Sequence, residues 1–376
     1  MNEEIKSLTG IRGIAALWVV FLHYFKSLNL NEDLYVAKVF MNGFIAVDIF
    51  FLLSAFVMCL AYSEEFKKRI PTNSYLTFIK KRFARIYPAY FFWIFTFLLA
   101  FDFIKFNFEY AKIIVNLLLI QNFFTNSVIY GIFWSLSSEW ILYLVFPFLY
   151  YVLQKNGNNY IKMFLILACV VSLYILPSMN NYFIDFHKGV HIVPPSDFIG
   201  GVFTGVNSIL RCFFSYVIGI NMFLLIKGYN VVNYTLVSFL KYGSLIGIFV
   251  IACWGKSAET YVLTLMCSTL LITALYLDRE NIDPFFASKT VYFLGQISYS
   301  IYLCHMFIFI STSILVVKFF SLQIDTTIQT FLIVGSLVLL IPISYLSYTF
   351  IEIRTGLWLK SKLFAKHHSS RKFGFS

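Results

Sequence analysis

The stretch Val39–Tyr62, VFMNGFIAVDIFFLLSAFVMCLAY, carries one charged side chain, Asp48. As a helix it rises about 36 Å at roughly 1.5 Å per residue, enough to cross the roughly 30 Å of bilayer hydrocarbon. Comparable apolar runs recur from residue 11 to residue 350 and give ten helix candidates: 11–28, 39–62, 84–104, 128–153, 161–177, 206–226, 234–254, 258–277, 290–317 and 327–350. The whole chain agrees with that reading. Its 376 residues are 60% hydrophobic, 20% aromatic and only 12% charged, with a mean hydropathy of +0.78, far from the profile of a soluble domain. The expected fold is all-α, a polytopic integral membrane bundle of about ten transmembrane helices, with no soluble domain between them.

The first run, Ile11–Leu28, is too long and too polar at its end for a secretory signal, because Leu22-His23-Tyr24-Phe25-Lys26 stands where a small-residue cleavage site belongs. It is therefore the first membrane helix. The six cysteines lie in or at the ends of apolar runs without CxxC spacing, which reads as buried thiols. A net charge of +11 suggests nucleic acid in a soluble protein; here the basic residues flank helices, and nucleic-acid binding has no support.

The basic residues also orient the chain. The clusters Lys67-Lys68-Arg69, Lys80-Lys81-Arg82 with Arg85, and Lys360, Lys362, Lys366, Arg371 and Lys372 fall on one side if the short apolar run 111–124 lies at the outer interface and does not cross. The positive-inside rule then puts both termini in the cytoplasm. Residues 1–353 form one membrane domain and 354–376 a basic cytoplasmic tail. Pro177 to Gly205, the longest polar connection, falls outside.

An ionisable side chain within a membrane costs about 2.5 to 3.5 kcal/mol on insertion scales, so it faces a cavity or a partner. Arg12 and His23 are eleven residues apart in one helix. That spacing returns them to within about 20° of the same face, separated by about 16 Å, and both can line one channel. The blander alternative is a snorkelling arginine and a histidine satisfied by a backbone carbonyl. Asp48, Glu139 and His305 come out at comparable depths, which suggests a shared polar site, although structural ion pairing gives the same pattern. Arg82 and Arg85, three apart at the inner surface, point the same way on a helix and present guanidinium forks suited to phosphate. Lipid headgroup contact is the alternative. His187 and His191 have helical metal-ligand spacing but no HExxH pattern, and no metal is expected. His367-His368 lies in the basic tail and carries less information still.

Several segments together resemble membrane acyltransferase family 3, which includes O-antigen, enterobacterial common antigen and Nod-factor O-acetylases. Leu8-Thr9-Gly10-Ile11-Arg12-Gly13-Ile14-Ala15-Ala16 followed by His23 is similar to the family's arginine, ten residues, histidine signature. Gly43 to Phe56 resembles its second-helix motif, with Ala55 in place of the usual glycine. Lys81-Arg82-Phe83-Ala84-Arg85-Ile86-Tyr87-Pro88 resembles the basic stretch of its third helix, Trp134-Ser135-Leu136-Ser137-Ser138-Glu139 its tryptophan-to-glutamate motif, and Ser298 to His305 its late motif.

The resemblance implies a bacterial inner-membrane O-acyltransferase, most commonly an O-acetyltransferase. Its donor would be cytoplasmic acetyl-CoA or another acyl-CoA, and its acceptor a hydroxyl of a surface polysaccharide or an undecaprenyl-linked glycan. Membrane lipid is the surrounding partner, and homo-oligomerisation stays open. In that reading Arg82, Arg85 and Arg12 hold the coenzyme A phosphates, and His23 either accepts the acyl group or acts as general base. Glu139 or Asp48 orients the imidazole, and Trp134, Ser135 and His305 contact substrate. The rival class is a transporter or translocator of a lipid-linked glycan or small substrate, against which stands the lack of a visible inverted repeat of broken helices.

Overall fold

A computed structural model describes residues 4–26, 34–102, 110–124, 131–185, 189–195, 205–229, 233–281, 283–320 and 326–364. Ten helices in it are long and apolar enough to cross a membrane. In chain order the helices are α1 (Lys6–Lys26), α2 (Tyr35–Met41), α3 (Ala46–Phe66), α4 (Thr72–Phe97), α5 (Tyr110–Leu117), α6 (Trp134–Lys155), α7 (Asn159–Ile175), α8 (Gly205–Ile226), α9 (Tyr234–Ala252), α10 (Ala258–Leu277), α11 (Lys289–Gln296), α12 (Ser298–Phe320), α13 (Thr326–Leu346) and α14 (Gly356–Phe364). A short antiparallel hairpin, β1 (Asn181–Asp185) with β2 (Gly189–Val193), lies between α7 and α8.

The span that includes α3 is the most enclosed, and α7 and α9 are the least. α3 is apolar nearly all round, as a core helix must be, and packs on α8, α6, α1 and α10. Ala55 of α3 is fully buried against Gly219 of α8, where an added Cβ would lie 3.0 Å from that of Ala55 and 2.8 Å from the Leu52 carbonyl oxygen. Gly219 supplies the bare backbone at this contact, so the Ala55 methyl is accommodated by the partner helix.

The glycines flanking Arg12 do comparable work. A Cβ on Gly13 would lie 2.6 Å from the Gly295 nitrogen, and one on Gly10 would overlap the Phe286 carbonyl oxygen. Only a bare backbone lets α1 press this closely on α11 and the turn before it. At about 100° per residue, the glycine side of α1 lies more than 90° from Arg12, which therefore points away from that contact.

Two boundaries differ most from the hydropathy reading. α4 starts at Thr72, directly after Pro71, so the basic cluster 80–85 lies inside the helix and does not open it. Polar residues at an interface end an apolar run without ending a helix. The last helix continues past residue 350 through a nine-residue π segment, Ser347–Thr355, into α14, which packs on α4. Lys80 Nζ lies 3.4 Å from the Leu363 carbonyl oxygen, so the first part of the basic tail is held on the bundle. α5 is eight residues long, about 12 Å, too short to cross. His191 lies on a strand opposite Phe183, so helical spacing does not apply to it; His187 and His367-His368 fall outside the described residues.

Candidate active site

A cavity of about 100 Å³ lies between α1, α3, α4, α6 and α12. Its polar wall is Arg12, Arg85, Ser135, Glu139, Tyr143, Ser298, Tyr299 and Tyr302, and Val47, Phe50 and Phe51 close the α3 side. Four of the residues singled out in the sequence, Arg12, Arg85, Ser135 and Glu139, thus meet on one surface.

Glu139 is held by neutral donors. Ser54 Oγ donates to its Oε1 at 2.7 Å and Tyr143 OH at 2.6 Å, and Tyr216 OH supports Ser54 at 3.0 Å. Arg12, on the same wall, forms no ion pair or hydrogen bond among the described residues. It is a cation turned to a cavity, open to an anionic ligand. Arg85 is different, because it forms an ion pair with Glu352 of the π segment. Glu352 is buried and also accepts from Ser300 Oγ at 3.1 Å. Arg82 lies over the rings of Tyr62, Phe78 and Tyr143 at 5.6 to 5.8 Å and donates to Tyr62 OH at 3.3 Å. The two arginines share a side of α4 yet differ in how far their charge is already answered.

Ser135 Oγ and Tyr302 OH lie 2.6 Å apart, and Tyr302 OH donates to the Ile132 carbonyl at 2.8 Å. One turn further along α12 is His305, seven residues after Ser298 and so within about 20° of the same face. On α1 the stripe that begins with Arg12 reaches His23. The two stripes converge, for the His23 and His305 rings are 5.3 Å apart, centroid to centroid. Neither histidine is part of the cavity wall itself; both lie beyond Tyr302, whose ring is 6.0 Å from that of His305.

Residues 5–348 match the family model described as "Acyltransferase domain", the third acyltransferase family. The chain belongs to acyltransferase family 3. "Acyltransferase MdmB" of Streptomyces mycarofaciens is 35% identical over 169 residues, 40% of this chain and 41% of that protein. "Protein 2 in picA locus" of Rhizobium radiobacter is 37% identical over 88 residues, 23% of this chain and 41% of that protein. The chain therefore spans about two fifths of the length of the curated relatives it matches. No solved structure matches.

In this family 3 domain, neither carboxylate weighed for His23 is its partner. Asp48 is fully buried and accepts from Arg211 Nε at 3.0 and 3.2 Å and from Arg211 Nη2 at 2.5 Å. Tyr261 OH and Ser215 Oγ add bonds at 3.2 and 3.3 Å. Trp134 is buried beside the same group, with the Arg211 guanidinium 5.5 Å from its ring. Asp48, Glu139 and His305 thus occupy three separate polar clusters.

Arg211, Glu352 and the buried Lys241, which pairs with Asp278 at 2.6 Å and with Asp283, escaped the sequence reading. The rule that flagged Arg12 flags Arg211 and Lys241 as well, since both interrupt apolar runs.

Proposed function

We propose that the chain is a membrane O-acyltransferase that moves an acyl group, acetyl in the simplest case, from cytoplasmic acyl-CoA to a hydroxyl of a surface polysaccharide or lipid-linked glycan. The observation that carries the reading is the alignment on α1: an arginine in a cavity with no ion pair among the described residues, and on the same stripe a histidine at the far end. Arg12, about 16 Å along α1 from His23, suits a phosphate of the donor. Arg82, on the same side of α4 as Arg85, suits the remaining phosphates, and the cavity has room for part of the donor's pantetheine arm on its way to His23.

His23, which is partly exposed, takes the proton of the acceptor hydroxyl. The hydroxyl oxygen forms the new C–O bond to the thioester carbonyl, the C–S bond breaks, and the proton passes to the departing thiolate. A direct transfer needs only His23, whereas a two-step route puts the acyl group first on its ring nitrogen.

The test is reconstitution of the protein in liposomes with acyl-labelled acyl-CoA and an extract of the organism's own glycans. Label recovered covalently on glycan, with matching loss of that acyl group from the glycans of a deletion strain, supports the reading. Glycan that crosses the bilayer unlabelled supports the transporter.

A further inference from the structure

We propose that His305 is the positioning residue of the transfer: it orients the His23 imidazole and stabilises it while it carries the proton, the part a carboxylate plays in other histidine-dependent acyl transfers. This rests on the O-acyltransferase reading. His305 is fully buried on α12. Its Nδ1 lies 2.9 Å from the Tyr302 carbonyl oxygen, an acceptor only, so Nδ1 carries the hydrogen and the Nε2 of the neutral ring is a lone pair. Among the described residues Nε2 has no donor. A buried acceptor without a donor is uncommon and destabilising.

Three polar rings lie close enough to matter. Tyr24 OH already donates to the His305 carbonyl at 2.7 Å, and Tyr302 OH to that of Ile132 at 2.8 Å. His23 is the nearest, at 5.3 Å between centroids. The two rings are not hydrogen-bonded as they stand; at this spacing, turning the His23 ring so that one nitrogen faces Nε2 brings the pair within hydrogen-bonding reach. The fit is chemical as well as geometric. When His23 takes the hydroxyl proton on the nitrogen facing the acceptor, its other N–H points to the waiting Nε2 lone pair. When the thiolate takes that proton, His23 returns to neutral, and His305 has been neutral throughout. No carboxylate is needed, and Glu139 and Asp48 are each engaged elsewhere.

The test separates the two nitrogens. Asn at 305 reaches only the Nδ1 end, whereas Gln places an amide oxygen near Nε2. Expected for H305N is a kcat lowered about 100-fold or more at unchanged KM, for H305Q a kcat within about 10-fold of wild type, and for H23Q/H305N no further loss beyond H23Q. Equal activity of H305N and wild type, or additive losses in the double variant, overturns the proposal. If H305N fails to reach the membrane, ¹⁵N-histidine spectra of the wild-type protein decide. A neutral His305 with its hydrogen on Nδ1 is expected, and a hydrogen on Nε2 overturns the proposal. Wild-type protein that transfers no acyl group overturns the enzymatic reading instead.

Discussion

Arg85 of α4 and Glu352 of the π segment form an ion pair across 267 positions of sequence, tying the third membrane span to the last one at the cavity wall. Arg85→Ala leaves the buried Glu352 carboxylate uncompensated. Breaking a buried pair costs about 3 to 5 kcal/mol, but the Arg85 side chain is 41% exposed, and solvent reduces the expected loss to about 1 to 2 kcal/mol. Thermal unfolding in detergent measures it, and Glu352→Gln on the same background should restore part of the loss. Arg12, which has no such partner among the described residues, should behave in the opposite way: Arg12→Ala raises KM for acyl-CoA with little change in melting.

The pair Asp48–Arg211 is buried on both sides. Removing either partner alone, as Asp48→Leu or Arg211→Met, should destabilise by about 3 to 5 kcal/mol, and the double replacement should be milder than either single one. Folded yield by size-exclusion chromatography would report all three. A double variant as damaged as the sum of the singles would show that the pair contributes through packing rather than charge.

Gly13→Ala places a methyl 2.6 Å from the Gly295 nitrogen, whereas a Cβ on Gly335 meets nothing within 4 Å. The first should displace α1 from α11, lower membrane yield and impair transfer through Arg12. Gly335→Ala should be neutral or stabilising by up to about 1 kcal/mol. Equal melting temperatures for the two variants would contradict this packing account.

His23→Gln keeps hydrogen bonding but not proton transfer. It should abolish glycan acylation, by about 100-fold or more, while membrane abundance stays at the wild-type level. Near-normal acylation would remove His23 from the chemistry.

Both termini should be cytoplasmic, because ten spans return the chain to its starting side and the basic clusters collect there. A phosphatase fused to the C-terminus should be inactive, and periplasmic activity would break the ten-span topology.

Hydropathy reads the solvent, and so it located the spans well. Candidate 258–277 coincides with α10, and 206–226 differs from α8 by one residue. The early start of α4 and the late end at Phe364 were hidden because helices continue through the interface with charged side chains. The same distinction governs the site. Arg12, Glu139 and His305 were conspicuous as ionisable groups in apolar runs, but partner choice depends on which helix faces which. Nothing local says that Asp48 meets Arg211, or that Glu139 meets Ser54. Glu352 was masked by the break in hydropathy after residue 350, where the widened helix carries a carboxylate back inside.

The contact between Tyr24 and His305 spans 281 positions, which has a consequence for how the protein is made. At roughly 5 to 20 residues per second, a ribosome needs on the order of 14 to 56 s to pass from one to the other. Through that interval Arg12 can already be walled in by α3, α4 and α6, whereas the His23 end of the first helix has to wait for α12. Chains halted before residue 298 leave that end without its partner helix, a mark by which membrane quality control can tell an unfinished molecule from a finished one.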